Sequence, residues 1–229
     1  QYQVDEGVVQ GLVDNKGAIV ADNGAVYLTA KGKDALSRAV VNHSGIIEAN
    51  RLSHNAKGEI ILLGDMQTGQ TNVTGRISAQ GMNEQDGGFI ETSAAVINIA
   101  DSADITTLSA QGKTGEWLID PFNVIISKNS DAGSQNTSNT FSPSQNDSII
   151  NVGTLESALG KNNVTVTTTS SDINNPGTQE GNITVADALS WAAPTDLTLS
   201  AHNNIYINAN ITATDQKGGL NLEYGLANK

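Results

Sequence analysis

Two pairs of carboxylates, three histidines, two tryptophans and a scatter of Asn-x-Ser/Thr triplets are the side chains of this 229-residue chain that could do chemistry. Glu116 and Asp120 fall on the same side of a strand, and Asp101 and Asp104 flank a turn. Cleaving a glycosidic bond takes two carboxyls within roughly 5 to 10 Å of each other. Neither pair has a third partner, and no cleft is marked in the sequence, so the pairs read as solvated faces and no enzymatic activity is expected. His43, His54 and His202 are the only histidines, and none falls in an HxxxH spacing that would bring two nitrogens onto one metal. The calcium repeat GGxGxDxUx is missing, although Asp86-Gly87-Gly88 has a superficial likeness to it. There is no cysteine, which excludes disulfides, thiolate zinc sites and a Cys nucleophile. No cofactor and no metal site is expected.

Trp117, Trp191 and Tyr206 are the rings that could contact a ligand, by stacking on a sugar or a porphyrin. A tryptophan beside Leu118 and Ile119, or one closing a helical turn as expected at Trp191, more often packs. Sequons occur at Asn42, Asn72, Asn136, Asn146, Asn163, Asn182 and Asn210. Asn72, Asn136 and Asn146 are the candidates for glycosylation. Asn and Thr are also the turn and outward-facing residues that stacked strands favour for their own reasons.

The elements that must position these residues are short and repeated. Lys16-Gly17-Ala18-Ile19-Val20-Ala21, Ser44-Gly45-Ile46-Ile47-Glu48-Ala49 and Thr74-Gly75-Arg76-Ile77-Ser78-Ala79 are copies of one phrase, with Ala103–Leu108 a degenerate fourth. A second phrase interleaves with it, at 23–28, 57–62, 87–92 and 115–120. Each copy is a Gly-led strand of about five residues with period-two alternation. Repetition at this period means a solenoid, and the lack of a helical stripe rules out leucine-rich or ankyrin-type repeats. The expected fold is all-β, a right-handed parallel β-helix with extruded loops. With 38% hydrophobic residues and only 4% aromatics, its core must be thin and aliphatic.

The expected organisation is 1–127 as coils with longer turns, 128–148 as a polar loop, and 149–229 as a continuation with shorter turns. In the last part, 154–159 reads as one helical turn and 187–191 as another. Coils are placed there by Val164 to Ile183, Ile183 to Ile205 and Leu199 to Leu220. At roughly 20 to 30 residues per coil and about 4.8 Å per strand, the rod would be on the order of 40 to 55 Å long. The net charge of −12 repels nucleic acid, and no apolar run approaches the length of a membrane span.

Gly112-Lys113-Thr114-Gly115-Glu116-Trp117-Leu118-Ile119-Asp120-Pro121-Phe122-Asn123-Val124 resembles the GxxGxWLIDPxNV phrase of filamentous-haemagglutinin-like exoproteins of the two-partner secretion class. Thr154–Leu159, Gly181–Val185 and Leu197–Ala201 are similar to the succession downstream of that phrase in high-molecular-weight adhesins and haem–haemopexin utilisation exoproteins of Gram-negative bacteria. The resemblance implies a β-helix exported unfolded through an outer-membrane transporter and placed on the cell surface or secreted. The Asn-Pro motifs of the family's secretion domain are absent; the one Asn-Pro is Asn175-Pro176, which places this stretch downstream of that domain. The implied function is adhesion, by binding a host-surface or matrix glycan or protein. Its alternatives are a ligand-capture exoprotein acting on a haem carrier, and a passive stalk carrying a distal effector.

Overall fold

A computed structural model describes residues 10–31, 38–129, 147–168 and 180–226. Taken in chain order, the Gly-led phrases form the second and third of three faces. On the second, β2 (Ala18–Val20), β5 (Ile46–Glu48), β8 (Arg76–Ser78) and β11 (Asp104–Thr106) stack in parallel. On the third, seven strands form one parallel sheet in the order β3 (Ala25–Thr29), β6 (Glu59–Leu63), β9 (Phe89–Ser93), β12 (Glu116–Asp120), β15 (Asn163–Thr167), β18 (Asp196–Ser200) and β21 (Gly219–Glu223). The first face, which carries no leading glycine, begins with β1 (Gln10–Asn15), β4 (Arg38–His43), β7 (Gln70–Val73) and β10 (Val96–Ile99). Each strand pairs with its counterpart one coil away, which is a parallel β-helix.

The coils are locked together by matching rows of inward side chains. Ile19, Ile47, Ile77 and Ile105 lie in register on the second face. On the long sheet, Val26, Ile60, Ile90, Trp117, Val164, Leu197 and Leu220 form one inward row. Branched aliphatics suit this arrangement because a pleated, stacked surface accepts their stiff rotamers.

The glycines that lead the phrases stack as well. A Cβ on Gly45 would lie 2.0 Å from the Gly17 carbonyl oxygen, and one on Gly75 would lie 2.3 Å from that of Gly45. On the long sheet a Cβ on Gly88 would lie 2.1 Å from Gly58 O, and one on Gly115 would lie 2.1 Å from Gly88 O. The repeated glycine is therefore required by backbone approaching backbone between coils.

The regular winding is interrupted between β12 and β15, where Glu116 pairs with Asn163. β13 (Val124–Ser127) follows β12 onto the first face, and the chain then returns as β14 (Ser148–Asn151). The sheet order there is β14-β13-β16-β19, with β16 at Ile183–Val185 and β19 at Ile205–Ile207. β14 sits on the β10 side, where its Ser148 hydroxyl accepts a hydrogen bond from Ile97 N at 3.0 Å. It thus wedges between β10 and β13, out of chain order.

The helix α1 (Val152–Leu159) then replaces a strand on the second face, between β11 and β17 (Leu189–Trp191). Asn151 caps it, accepting from Gly153 N at 2.8 Å. A helix about 10 Å across spans roughly two strand spacings, so α1 offsets on its face the strand added on the neighbouring one. Side chains tie it to the coil below. Lys161 donates to Asp104 at 2.7 Å, and Asn162 bonds both Ile105 O and Thr107 Oγ1. Trp117 fills the space the helix opens, lining a cavity of about 30 Å³ with Ile99, Ile105 and Ala158. That volume holds a water or two.

Five expectations are corrected by this arrangement, the last of them the length of the rod. Residues 187–191 do not form a helical turn; 189–191 are strand β17, which pairs with β20 (Ile211–Ala213). The 154–159 turn is longer, an eight-residue helix. Val164 and Ile183 are not one coil apart: Val164 lies beside Leu197, and Ile183 beside Val124. Likewise Leu220 lies beside Leu197 rather than Leu199. Seven strands about 4.8 Å apart put roughly 29 Å between the edge strands, because one interrupted coil consumes the residues of nearly two. Residues 130–146, most of the expected polar loop, lie outside the described residues.

Candidate functional site

The outward side chains of the long sheet are set by its alternation: inward positions are buried and outward ones mostly half-buried. On β6, β9 and β12 the outward residues are Glu59, Ile61 and Leu63; Phe89, Glu91 and Ser93; Glu116, Leu118 and Asp120. In the first two outward rows, Glu59-Phe89-Glu116 and Ile61-Glu91-Leu118, carboxylates and apolar side chains alternate both along and across the strands. Tyr27, one strand further, is 45% exposed and extends the patch beyond Ile61.

The carboxylates have unequal partners. Glu59 meets Lys57 at 2.9 Å and accepts from the Tyr27 hydroxyl at 3.1 Å. Glu91 accepts from the Ser93 hydroxyl at 2.6 Å, and Glu116 from the Thr165 hydroxyl at 2.7 Å. Asp120 Oδ1 is buried with no hydrogen-bond partner. Burial, and secondarily the Glu91 charge on the adjacent strand, push the Asp120 carboxyl up to about 6.

This perturbation fixes a stability prediction. The folded state holds Asp120 more readily as the neutral acid, so its ionisation penalty is absent below about pH 4. The penalty grows as the pH rises toward 6 and is complete above it. Asp120→Asn is expected to stabilise the protein by about 2 kcal/mol at pH 7.5, after discounting for partial exposure, and by almost nothing at pH 4. Urea unfolding of both proteins at the two pH values reads this directly. A variant equally or less stable at pH 7.5 would show that the charge is compensated.

The residues singled out in the sequence fall in different places. Glu116 and Asp120 do share a face. Trp117 and Trp191 do not reach the surface, at 1% and 5% exposed. Their indole N–H groups donate inward, to Thr92 Oγ1 at 3.2 Å and to Thr195 O at 2.9 Å. The expectation of ligand contact therefore does not hold for these two rings, whose polar tips are satisfied inside the core. Tyr206 is 48% exposed, on the edge strand β19.

Asn72 stands in an asparagine ladder, donating to Asn42 Oδ1 at 2.7 Å and accepting from Asn98 Nδ2 at 2.8 Å. Asn136 and Asn146 lie outside the described residues. His43 is buried and neutral. Its Nε2–H donates to Arg76 O at 2.9 Å, its Nδ1 accepts from Asn15 at 3.1 Å, and burial lowers its pKa. Asp101 and Asp104 meet Thr154 and Lys161 at the helix rather than each other. Sequence reasoning missed Glu59 and Glu91 as members of the acidic face. The signal was available in the aligned phrases, where both stand at outward positions like Glu116 and Asp120.

Fold and face together define a parallel β-helix with one broad, partly apolar acidic sheet. No family model matches the chain, and no solved structure matches it. It is similar to the Heme/hemopexin-binding protein of Haemophilus influenzae, 33% identical over 76 residues. The match covers 32% of this chain and 8% of the length of that relative.

Proposed function

We propose that this chain is a non-catalytic segment of a secreted or cell-surface exoprotein, and that it binds a macromolecular ligand on the outward face of the seven-stranded sheet. Adhesion to a host-surface or matrix glycan or protein is the function this supports best. The observation that carries the reading is the patch of β6, β9 and β12, where apolar rings and chains remain partly exposed among carboxylates on a rigid, laddered surface. A solvated sheet face would place polar residues at Ile61, Phe89 and Leu118. The parent chain would reach the surface through an outer-membrane transporter, as the resemblance implies. None of the helices among the described residues is long and apolar enough to cross a membrane.

A second reading, capture of a haem-carrying protein, is favoured by the name of the similar Haemophilus influenzae protein. The test is a binding screen of the purified chain against a glycan array and immobilised haem-loaded haemopexin, with Leu118→Lys alongside. Saturable binding lost in the variant supports the sheet face, and the bound partner separates the two readings. Binding that Leu118→Lys leaves unchanged would overturn the sheet face, and silence on both surfaces from a folded chain would overturn glycan adhesion and haem-carrier capture.

A further inference from the structure

Resting on the sheet face as the binding surface, we infer that its partner is an extended polypeptide whose sheet-facing residues, every second one in its sequence, alternate between Lys or Arg and an apolar side chain. The argument is charge complementarity at fixed spacing. Among the described residues, no lysine or arginine projects from the outward positions of the seven strands. Of the cations at the edge of the patch, Lys57 already pairs with Glu59 at 2.9 Å, and Arg51 donates to the backbone oxygens of Ala56, Asp86 and Gly87. Glu91 and Glu116 are met only by hydroxyls, and Asp120 keeps one oxygen without a partner. Three carboxylates thus stand on two adjacent strands, Glu91 lying diagonally between Glu116 and Asp120, and among the described residues none of them is paired with a Lys or Arg of the chain's own.

The apolar side chains decide what kind of cation fits. Glu91 lies between Ile61 and Leu118 in the cross-strand row, and Glu116 lies beside Phe89. A lysine or arginine reaching such a carboxylate lays its methylene stem along these side chains while its head meets the charge. Same-side residues of an extended chain are roughly 6.6 to 7 Å apart, and adjacent strands are about 4.8 Å apart. An extended peptide lying along the strands therefore presents basic, apolar and basic residues in turn to Glu116, Leu118 and Asp120, with Glu91 beside the apolar contact and Phe89 beside the stem of the first basic residue. Polyanionic glycans and nucleic acid are repelled by the same face. A neutral glycan would leave these charges unmatched.

The experiment measures binding of a labelled 13-residue peptide of Lys-Ser-Val-Ser repeats (the Lys–Val peptide), its counterpart with Glu in place of Lys and a set of neutral oligosaccharides, at near-physiological salt. The variants are Glu91→Gln with Glu116→Gln, whose amide oxygens can still accept from Ser93 and Thr165. The charge-matched control is Asp14→Asn with Glu84→Gln, both exposed and outside the long sheet. The expected result is saturable binding of the Lys–Val peptide only, weakened about tenfold by the first pair and less than about twofold by the second. Equal loss in both pairs would reduce the effect to net charge and overturn the inference. A neutral oligosaccharide bound in place of the peptide, and lost in Leu118→Lys, would overturn the cationic partner while leaving the sheet face as the binding surface. No binding of the Lys–Val peptide at all would also overturn the inference.

Discussion

Gly88→Ala is expected to destabilise the protein by about 4 kcal/mol, toward the upper end of what single substitutions do. A Cβ there would sit 2.1 Å from the Gly58 carbonyl oxygen and 3.1 Å from the Ala79 Cβ. The nearest obstacle is backbone held by the ladder on both sides, so relief requires the coils to separate. Gly88 also carries the oxygen against which Gly115 packs, and a shift would pass to the next coil. Its φ is not in the left-handed region, so the effect is one of proximity rather than backbone strain. Gly17→Ala supplies the control. It heads the first coil of the other glycine stack, and a Cβ there meets nothing within 4 Å. It is expected to be neutral, or to stabilise by up to about 1 kcal/mol through the unfolded state. Urea unfolding of the two variants reads the contrast, and equal effects would sink the close-approach account.

Trp117→Ala is expected to cost about 3 to 5 kcal/mol, the range for truncating a buried tryptophan. The ring is 1% exposed and stands in a row otherwise made of Val, Ile and Leu, beside an existing cavity of about 30 Å³. Truncation enlarges that cavity and leaves the Thr92 hydroxyl without its donor. Trp117→Phe should fall between the two, because it keeps most of the volume and loses the hydrogen bond. Thermal unfolding of the three proteins gives the order. A loss below about 1 kcal/mol for Trp117→Ala would mean that α1 collapses onto β11 and fills the space.

What could be read from the sequence was what repeats with a glycine. The two Gly-led phrases fall on β2, β5, β8 and β11 and on β3, β6, β9 and β12, because a coil-to-coil backbone contact fixes the glycine and the alternation follows it. β4 and β7 of the first face offer no such marker. Gln70–Val73 is short and polar, and Arg38–His43 has an Ala-Val-Val run but no leading glycine; both are strands because their neighbours above and below are. Leu189–Trp191 misled for a related reason: Asp187-Ala188-Leu189-Ser190-Trp191 has local helix character, and pairing with Ile211–Ala213 overrides it. The reversed place of β14 had no local signal, since order in a stack is decided by tertiary contact. Of the site, the shared side of Glu116 and Asp120 was legible from strand period alone. The orphaned Asp120 oxygen was not, because it depends on what the neighbouring strand places around it.

The wedging of β14 beneath β13 has a consequence for assembly in time. A chain that winds from its N-terminus lays each new coil on the finished one, and through β12 nothing requires it to wait. β13 is the exception. When it appears, the strand that will separate it from β10 has not yet been added. Its final place is reached only once Ser148–Asn151 lies between the two. The winding therefore includes one step back, and a chain ending before residue 148 lacks the strand that separates β13 from β10.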